Sequence, residues 1–306
     1  MSLKRFSGIA LLIAILLECI VFASLSDSFL TTGNLVNIAV KNADIAILAV
    51  GMTLVILTGG IDLGIGSVIA LCGITAALIT GVTGSATIGF LAAVSLATIF
   101  GVFNGTLVAF FKMPPFVVTL AVLTIARGLA FIVSEGRSIG NLGTEFGAIG
   151  QANFVGIPLT VMIASLALLV GWFILNHTKF GRHVYAIGGN PDAAFLAGIN
   201  VKKNVLAVYI LNGLLTGIAA VVLASRLGAG VPNSGEQYEL DVIAAVVVGG
   251  TSLTGGKGGV FQTLLGTIFI GILNNGLNLA GIDPYLQKIA LGVVILSAVL
   301  LDRFGK

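Results

Sequence analysis

The chain is poor in charge. Of its 306 residues only 9% are Asp, Glu, Lys or Arg, against 57% hydrophobic, whereas a soluble domain runs near a quarter charged. That excludes an ordinary soluble globule and leaves an integral membrane protein. Cysteine is almost absent: Cys19 and Cys72 both lie within apolar runs, so neither a disulfide framework nor a zinc site is indicated. The two histidines, His177 and His183, do not stand at a helical ligand spacing. Enzyme motifs are missing as well. Gly256-Lys257 has the ending of a phosphate-binding loop, but Thr251 stands where its first glycine is required and no Ser or Thr follows the lysine. Gly64-Ile65-Gly66 lacks the third glycine of a dinucleotide fingerprint. No catalytic residue, metal ligand or route to ATP hydrolysis within this chain can be named. A net charge of +3 gives no reason to expect nucleic acid.

What is present is a series of long apolar runs. Taking a crossing as ~20 mainly apolar residues, about ten fit: Phe6–Leu25, Ala43–Leu57, Gly64–Val82, Ala86–Phe111, Phe116–Val133, Ile157–Leu175, Val205–Ala224, Asp241–Gly250, Val260–Ala280 and Tyr285–Leu301. The expected fold is all-α and polytopic, one transmembrane domain over residues 1–306. The first run reads as a retained span rather than a cleaved signal, because Ser24-Leu25-Ser26 makes a poor cleavage site. The second and eighth runs are short, and each leads into a glycine-rich stretch, near Gly59–Gly66 and Gly249–Gly259. Broken helices at matching places in two halves suggest a pseudo-repeat with a pathway between the halves. Gly59, Gly60, Asp62 and Gly64 are the candidates for a gate or helix break, and Asp62 equally suits capping the helix that restarts there. Gly101 and Gly105 share a helix face and allow close helix packing, within the chain or at a dimer seam.

Charge placement sets the orientation. With the N-terminus inside, Lys4, Arg5, Lys112, Lys179, Arg182, Lys202, Lys203, Lys257, Arg303 and Lys306 fall in the cytoplasm. Lys41, Arg137, Arg226 and Lys288 fall outside, where most of the acids also lie. Both termini are then cytoplasmic. Within the spans stand Glu18 and Arg127, which either pair across the bundle or reach for the nearer interface. Membrane amides form a second polar set. Asn104, Asn274 and Asn278 are candidates for lining a sugar path, since an amide offers a donor and an acceptor, and interhelical hydrogen bonding is the alternative.

The longest polar stretch is His177–Asn204, which the charge pattern places in the cytoplasm. Asn190-Pro191-Asp192 is a helix start: a capping side chain, a proline at the first helical position and an acid near the positive end of the dipole. Ala193–Ala197 continues the helix and Gly198 is placed to end it. Lys179, Arg182, Lys202 and Lys203 surround it. This is the pattern of a docking surface.

With Gly51–Ser67 (GMTLVILTGGIDLGIGS), Thr178–Val201 (TKFGRHVYAIGGNPDAAFLAGINV) and Val246–Gly266 (VVVGGTSLTGGKGGVFQTLLG) in hand, the chain resembles the permease subunit of a bacterial ABC importer for monosaccharides, in the ribose-transporter branch. The resemblance covers essentially the whole chain. It implies a multi-pass protein of the bacterial inner membrane that forms a homodimer, or a heterodimer with a sister permease. It also implies a cytoplasmic ATPase that holds the ATP and Mg, and an extracytoplasmic binding protein that delivers the sugar. The ATPase contact would map onto Gly181, Arg182, Tyr185, Asn190, Pro191, Asp192, Ala193, Ala194, Leu196 and Gly198. Arg137 and Arg226 are candidates for docking the binding protein, or for pairing with Glu135 and Glu236. Permeases for other sugars and for autoinducer-2 share the pattern. From a different class, an ion-coupled transporter would need intramembrane carboxylates, which are few here, and a passive facilitator would need no large cytoplasmic docking element.

Overall fold

The computed structural model describes residues 3–304 except Asn141. Lys306, counted above among the inner basic residues, lies outside the described residues, and of Lys4, Arg5 and Arg303 only the backbone is described.

Fourteen helices and one two-stranded hairpin make up the described chain. Six helices are long and apolar enough to cross a membrane: α4 (Ile65–Thr83), α5 (Ala86–Ala109), α6 (Pro115–Val133), α8 (Leu159–His177), α11 (Val201–Leu227) and α13 (Val260–Leu279). The apolar helices α1 (Leu3–Leu25), α3 (Ala43–Leu57) and α14 (Pro284–Phe304) and the half-length α12 (Tyr238–Val248) fall at the remaining runs. Helices thus form at all ten runs read from sequence, six of them long and apolar enough to cross by themselves, and the architecture is that of an all-α polytopic membrane protein. Shorter elements complete it: α2 (Thr32–Lys41), α7 (Gly143–Gln151), the hairpin β1 (Asn153–Phe154) and β2 (Ile157–Pro158), α9 (Lys179–Gly189) and α10 (Pro191–Leu196). The second span is less short than expected, because α2 joins α3 through a 42° bend at Asn42.

Every residue of α3 is buried. A helix apolar all round belongs in the middle of a bundle, and α3 packs there against α8, α11, α12 and α13. The tightest pair is α5 on α11. A Cβ at Gly101 would meet Tyr209 O and Gly213, and one at Gly105 would meet Leu206 and Tyr209. The Gly101–Gly105 face is therefore spent on packing within the chain, where small residues substitute for the missing hydrophobic drive.

Two breaks interrupt the spans, at 58–64 between α3 and α4 and at 249–259 between α12 and α13. The second half has a further irregularity. After α11 the chain turns back along α4, with Gly230 against Ile74 and Gly235 against Gly66, before α12 begins. That descent is why α12 has only 11 residues, ~16 Å of helix. Non-helical backbone at this depth needs its carbonyls satisfied internally. Arg127 of α6 does so, donating to Pro232 O at 2.7 Å, Ser234 O at 3.0 Å and Gly66 O at 3.3 Å. The expected Glu18–Arg127 pair is thus corrected: Arg127 is held by backbone carbonyls, and Glu18 Oε2 is buried without a hydrogen-bond partner among the described residues.

Candidate functional site

The polar stretch folds into two helices rather than one. Thr178 starts α9 by accepting from Gly181 N–H at 3.1 Å while its hydroxyl donates to Ile174 O at 2.6 Å. A side chain at Gly181 would strike Leu175 O and Ile174 O, so the α8–α9 corner closes only over glycine. Val184 and Ile187 bury one face of α9 while Arg182 stays exposed. Sequence reading missed α9, because its two terminal glycines and short length hide the amphipathic pattern.

The second helix, α10, is built as its sequence predicts. Asn190 Oδ1 accepts from Ala193 N–H at 3.0 Å, Pro191 occupies the first turn, and Ala194 N–H donates to Asn190 O at 3.0 Å. Gly198 ends it at φ +83°, in the left-handed region that suits glycine. Ala194 faces inward, buried at 4%, whereas Asp192 and Ala193 are exposed. Phe195 and Leu196 project outward, 69% and 84% exposed. Two large apolar side chains thus stand exposed at the tip of a capped polar turn. Phe195 was not singled out by sequence reading, though its place beside Leu196 was a usable signal.

Beneath α9 the two glycine breaks meet. Gly256 N–H donates to Leu57 O at 3.0 Å, joining the end of α3 to the second break. Gly188 of α9 lies on that joint, where an added Cβ would collide with Leu57 O and with Gly256 N. Tyr185 donates its hydroxyl to Gly258 O at 2.9 Å, and burial raises its phenol above the ordinary range, keeping it a neutral donor. One short helix thus touches both places where the spans are interrupted.

The first break is also anchored from the other side. Asp62 is buried; its Oδ1 accepts from Gly64 N–H at 2.9 Å, and its Oδ2 accepts from Asn212 Nδ2 at 2.8 Å and Asn104 Nδ2 at 3.5 Å. It holds the residue from which α4 starts and ties the break to α5 and α11. Gly60 packs on the Tyr209 hydroxyl, and Gly59 takes φ +79°.

The three amides named as path candidates are not brought together. Asn104 is buried against Asp62, Asn274 is half-buried on α13, and Asn278, on the same helix, is exposed. Their neighbour Asn275 exchanges paired hydrogen bonds with Asn34 of α2, 2.9 Å each way. Of the two outer arginines, Arg137 is exposed, whereas Arg226 donates to Asp44 at 2.9 Å. Its partner is therefore neither Glu236 nor a free docking surface but the first turn of α3, a residue distant in sequence.

Residues 34–299 match the family described as branched-chain amino acid transport system / permease component. The chain belongs to this family. The permease is 44% identical to the ribose import permease protein RbsC of Escherichia coli K12 over 296 residues, 95% of this chain and 92% of that one. It is 44% identical to RbsC of Bacillus subtilis 168 over 99% of this chain and 92% of that one. The D-allose permease AlsC of Escherichia coli K12 is 37% identical, over 92% and 87% of the two chains. No solved structure matches the permease.

Proposed function

We propose that the permease is the membrane subunit of an ATP-driven importer and that its cargo is ribose or a closely related monosaccharide. The ribose import permeases are 41–44% identical, the allose permease 37% and the L-arabinose permease AraH of Escherichia coli 36%, a ranking that favours ribose.

One observation carries the reading: a capped helix with an exposed apolar tip, α10, follows directly on α9, which sits on both breaks. Lys112, Lys179, Arg182, Lys202, Lys203 and Lys257 lie at this end of the spans, so the positive-inside rule makes it the cytoplasmic face. There a cytoplasmic ATPase, holding the ATP and Mg, docks on Phe195 and Leu196. Closure of the ATPase pair pushes α10; α9 carries the displacement to Gly188 and Tyr185; and the breaks beside Leu57 and Gly258 shift. A second copy, of this chain or a sister permease, completes the path. A binding protein delivers sugar to the outer face, where Arg137 is an exposed cation offered to it.

The test is purification of the tagged permease from its native membrane. Ala194→Pro removes the Ala194 N–H bond to Asn190 O and places a ring in the turn. A stoichiometric ATPase should accompany the wild type and be lost from the variant, with ribose-stimulated ATP hydrolysis abolished and membrane insertion retained. A permease that emerges alone and moves sugar without ATP refutes the reading in favour of a facilitator.

A further inference from the structure

A cleft of about 910 Å³ opens between α10, the start of α11 and the α5–α6 connection. Its walls are mainly apolar, from Val108, Met113, Pro115, Phe195 and Ile199, and its rim carries Lys112 and Lys202 against one acid, Asp192. Lys202 Nζ is anchored 5.8 Å above the ring of Phe110, which sets the ammonium beside the connection. At the base lies Tyr209, buried, its hydroxyl without a hydrogen-bond partner among the described residues.

The depth of this cleft follows from helix length. The 24 residues of α5 extend ~36 Å, and the 27 of α11 extend ~40 Å, both beyond a hydrocarbon core of ~30 Å. Both helices end on this side, α5 at Ala109 and α11 at Val201, and the flanking Lys112, Lys202 and Lys203 suit headgroup level. Next to the cleft, Phe111 and Phe116 are 69% and 54% exposed, a surface suited to acyl chains. An apolar wall continuous with lipid and a dibasic rim at headgroup depth fit an amphiphile with an anionic head.

We propose that this cleft binds one anionic phospholipid, its phosphate between Lys112 and Lys202 and its chains leaving past Met113 and Phe116. The lipid would touch Gly59 and Gly60 of the first break and Asp192 of α10 together, so that ATP-driven movement would respond to membrane composition. Binding itself needs only the membrane placement, so its failure and the failure of the transport reading are separate results.

The experiment is native mass spectrometry of the full-length permease, delipidated in detergent and titrated with phosphatidylglycerol or phosphatidylcholine. One phosphatidylglycerol per chain should be retained roughly thirtyfold better than phosphatidylcholine, about fivefold for each lysine at the surface. Lys112→Gln with Lys202→Gln should bring the two lipids to parity, while Lys257→Gln, on the same face but outside the cleft, should change nothing. Equal retention of both lipids, or retention unchanged in the double variant, overturns the proposal. So does displacement by equimolar glycerol phosphate, which marks a soluble-anion site, and so does loss of the lipid when the ATPase joins, which assigns the cleft to the partner. A photoreactive phosphatidylglycerol on the wild type removes any dependence on variant folding. Labelling at 108–115 and 199–205 supports the site, and labelling confined elsewhere refutes it.

Discussion

Helix α3 carries a buried carboxylate near each end, and the two are held by different chemistry. Asp44, in the first turn, receives Arg226 of α11 at 2.9 Å and the Tyr238 hydroxyl of α12 at 3.3 Å. Asp62, just past the last turn, receives the Gly64 N–H and the amides of Asn104 and Asn212, all neutral. At the Asp44 end α3 and α11 are joined through opposite charges and α12 through a phenol hydrogen bond, and separating the ion pair would leave bare charge in a low dielectric. At the Asp62 end the donors are two rotatable amides and a loop N–H, which can find other acceptors at lower cost. We infer from the difference that α3 yields at the end beside α9 and the breaks, where no ion pair pins it, rather than at the end held by Arg226.

The largest effect should come from the charged end. Arg226→Leu leaves Asp44 buried without its cation, a loss of about 3–5 kcal/mol for a broken buried pair. In detergent this should lower Tm by roughly 10 °C, and Asp44→Asn added to the variant should recover part of it. A shift below about 2 °C would mean the pair is solvated, and the contrast between the two ends would disappear.

The neutral end should respond less. Asp62→Leu strands three buried N–H donors and should cost about 2–3 kcal/mol. Asp62→Asn keeps an acceptor for Gly64 N–H and should cost about 1 kcal/mol. Thermal unfolding of the variants side by side ranks them. If Asp62→Leu proved more damaging than Arg226→Leu, the pinned end of α3 would be the one beside the breaks, and movement would have to be sought near Asp44.

The parts legible in the sequence are those written locally. The helices at the ten apolar runs follow from apolar length, and α10 follows from Asn190, Pro191 and Gly198 within nine positions of chain. Asp62 just before the restart of α4 was legible for the same reason, although Gly64 rather than Asp62 is the N-cap and no side chain caps that helix. Long-range partners were not. Arg127 had to be assigned by charge alone, and sequence offers no sign that a chain segment with unpaired carbonyls at Pro232 and Ser234 passes beside it. Arg226 likewise finds Asp44 rather than Glu236, which is far closer along the chain. The convergence of the breaks under Gly188 depends on tertiary packing that no spacing encodes. The exposed place of Asn278 reflects the same limit, since one helix face shared with Asn274 does not say what that face meets.

The smallest structural effect, and the most informative one, belongs to Tyr185. Tyr185→Phe keeps the ring that packs on the bundle and removes only the hydrogen bond to Gly258 O. A neutral bond of this kind contributes about 1 kcal/mol, so Tm should fall by no more than roughly 2–4 °C. Coupling should change more than stability, because that hydroxyl adds a side-chain link from α9 to the second break beyond the backbone packing of Gly188 on Leu57 O and Gly256 N. In the reconstituted transporter, stimulation of ATP hydrolysis by sugar-loaded binding protein should drop severalfold while unstimulated hydrolysis stays level. Full stimulation in the variant would mean that Gly188 alone transmits the push, and that the second break follows the first through the Gly256–Leu57 hydrogen bond.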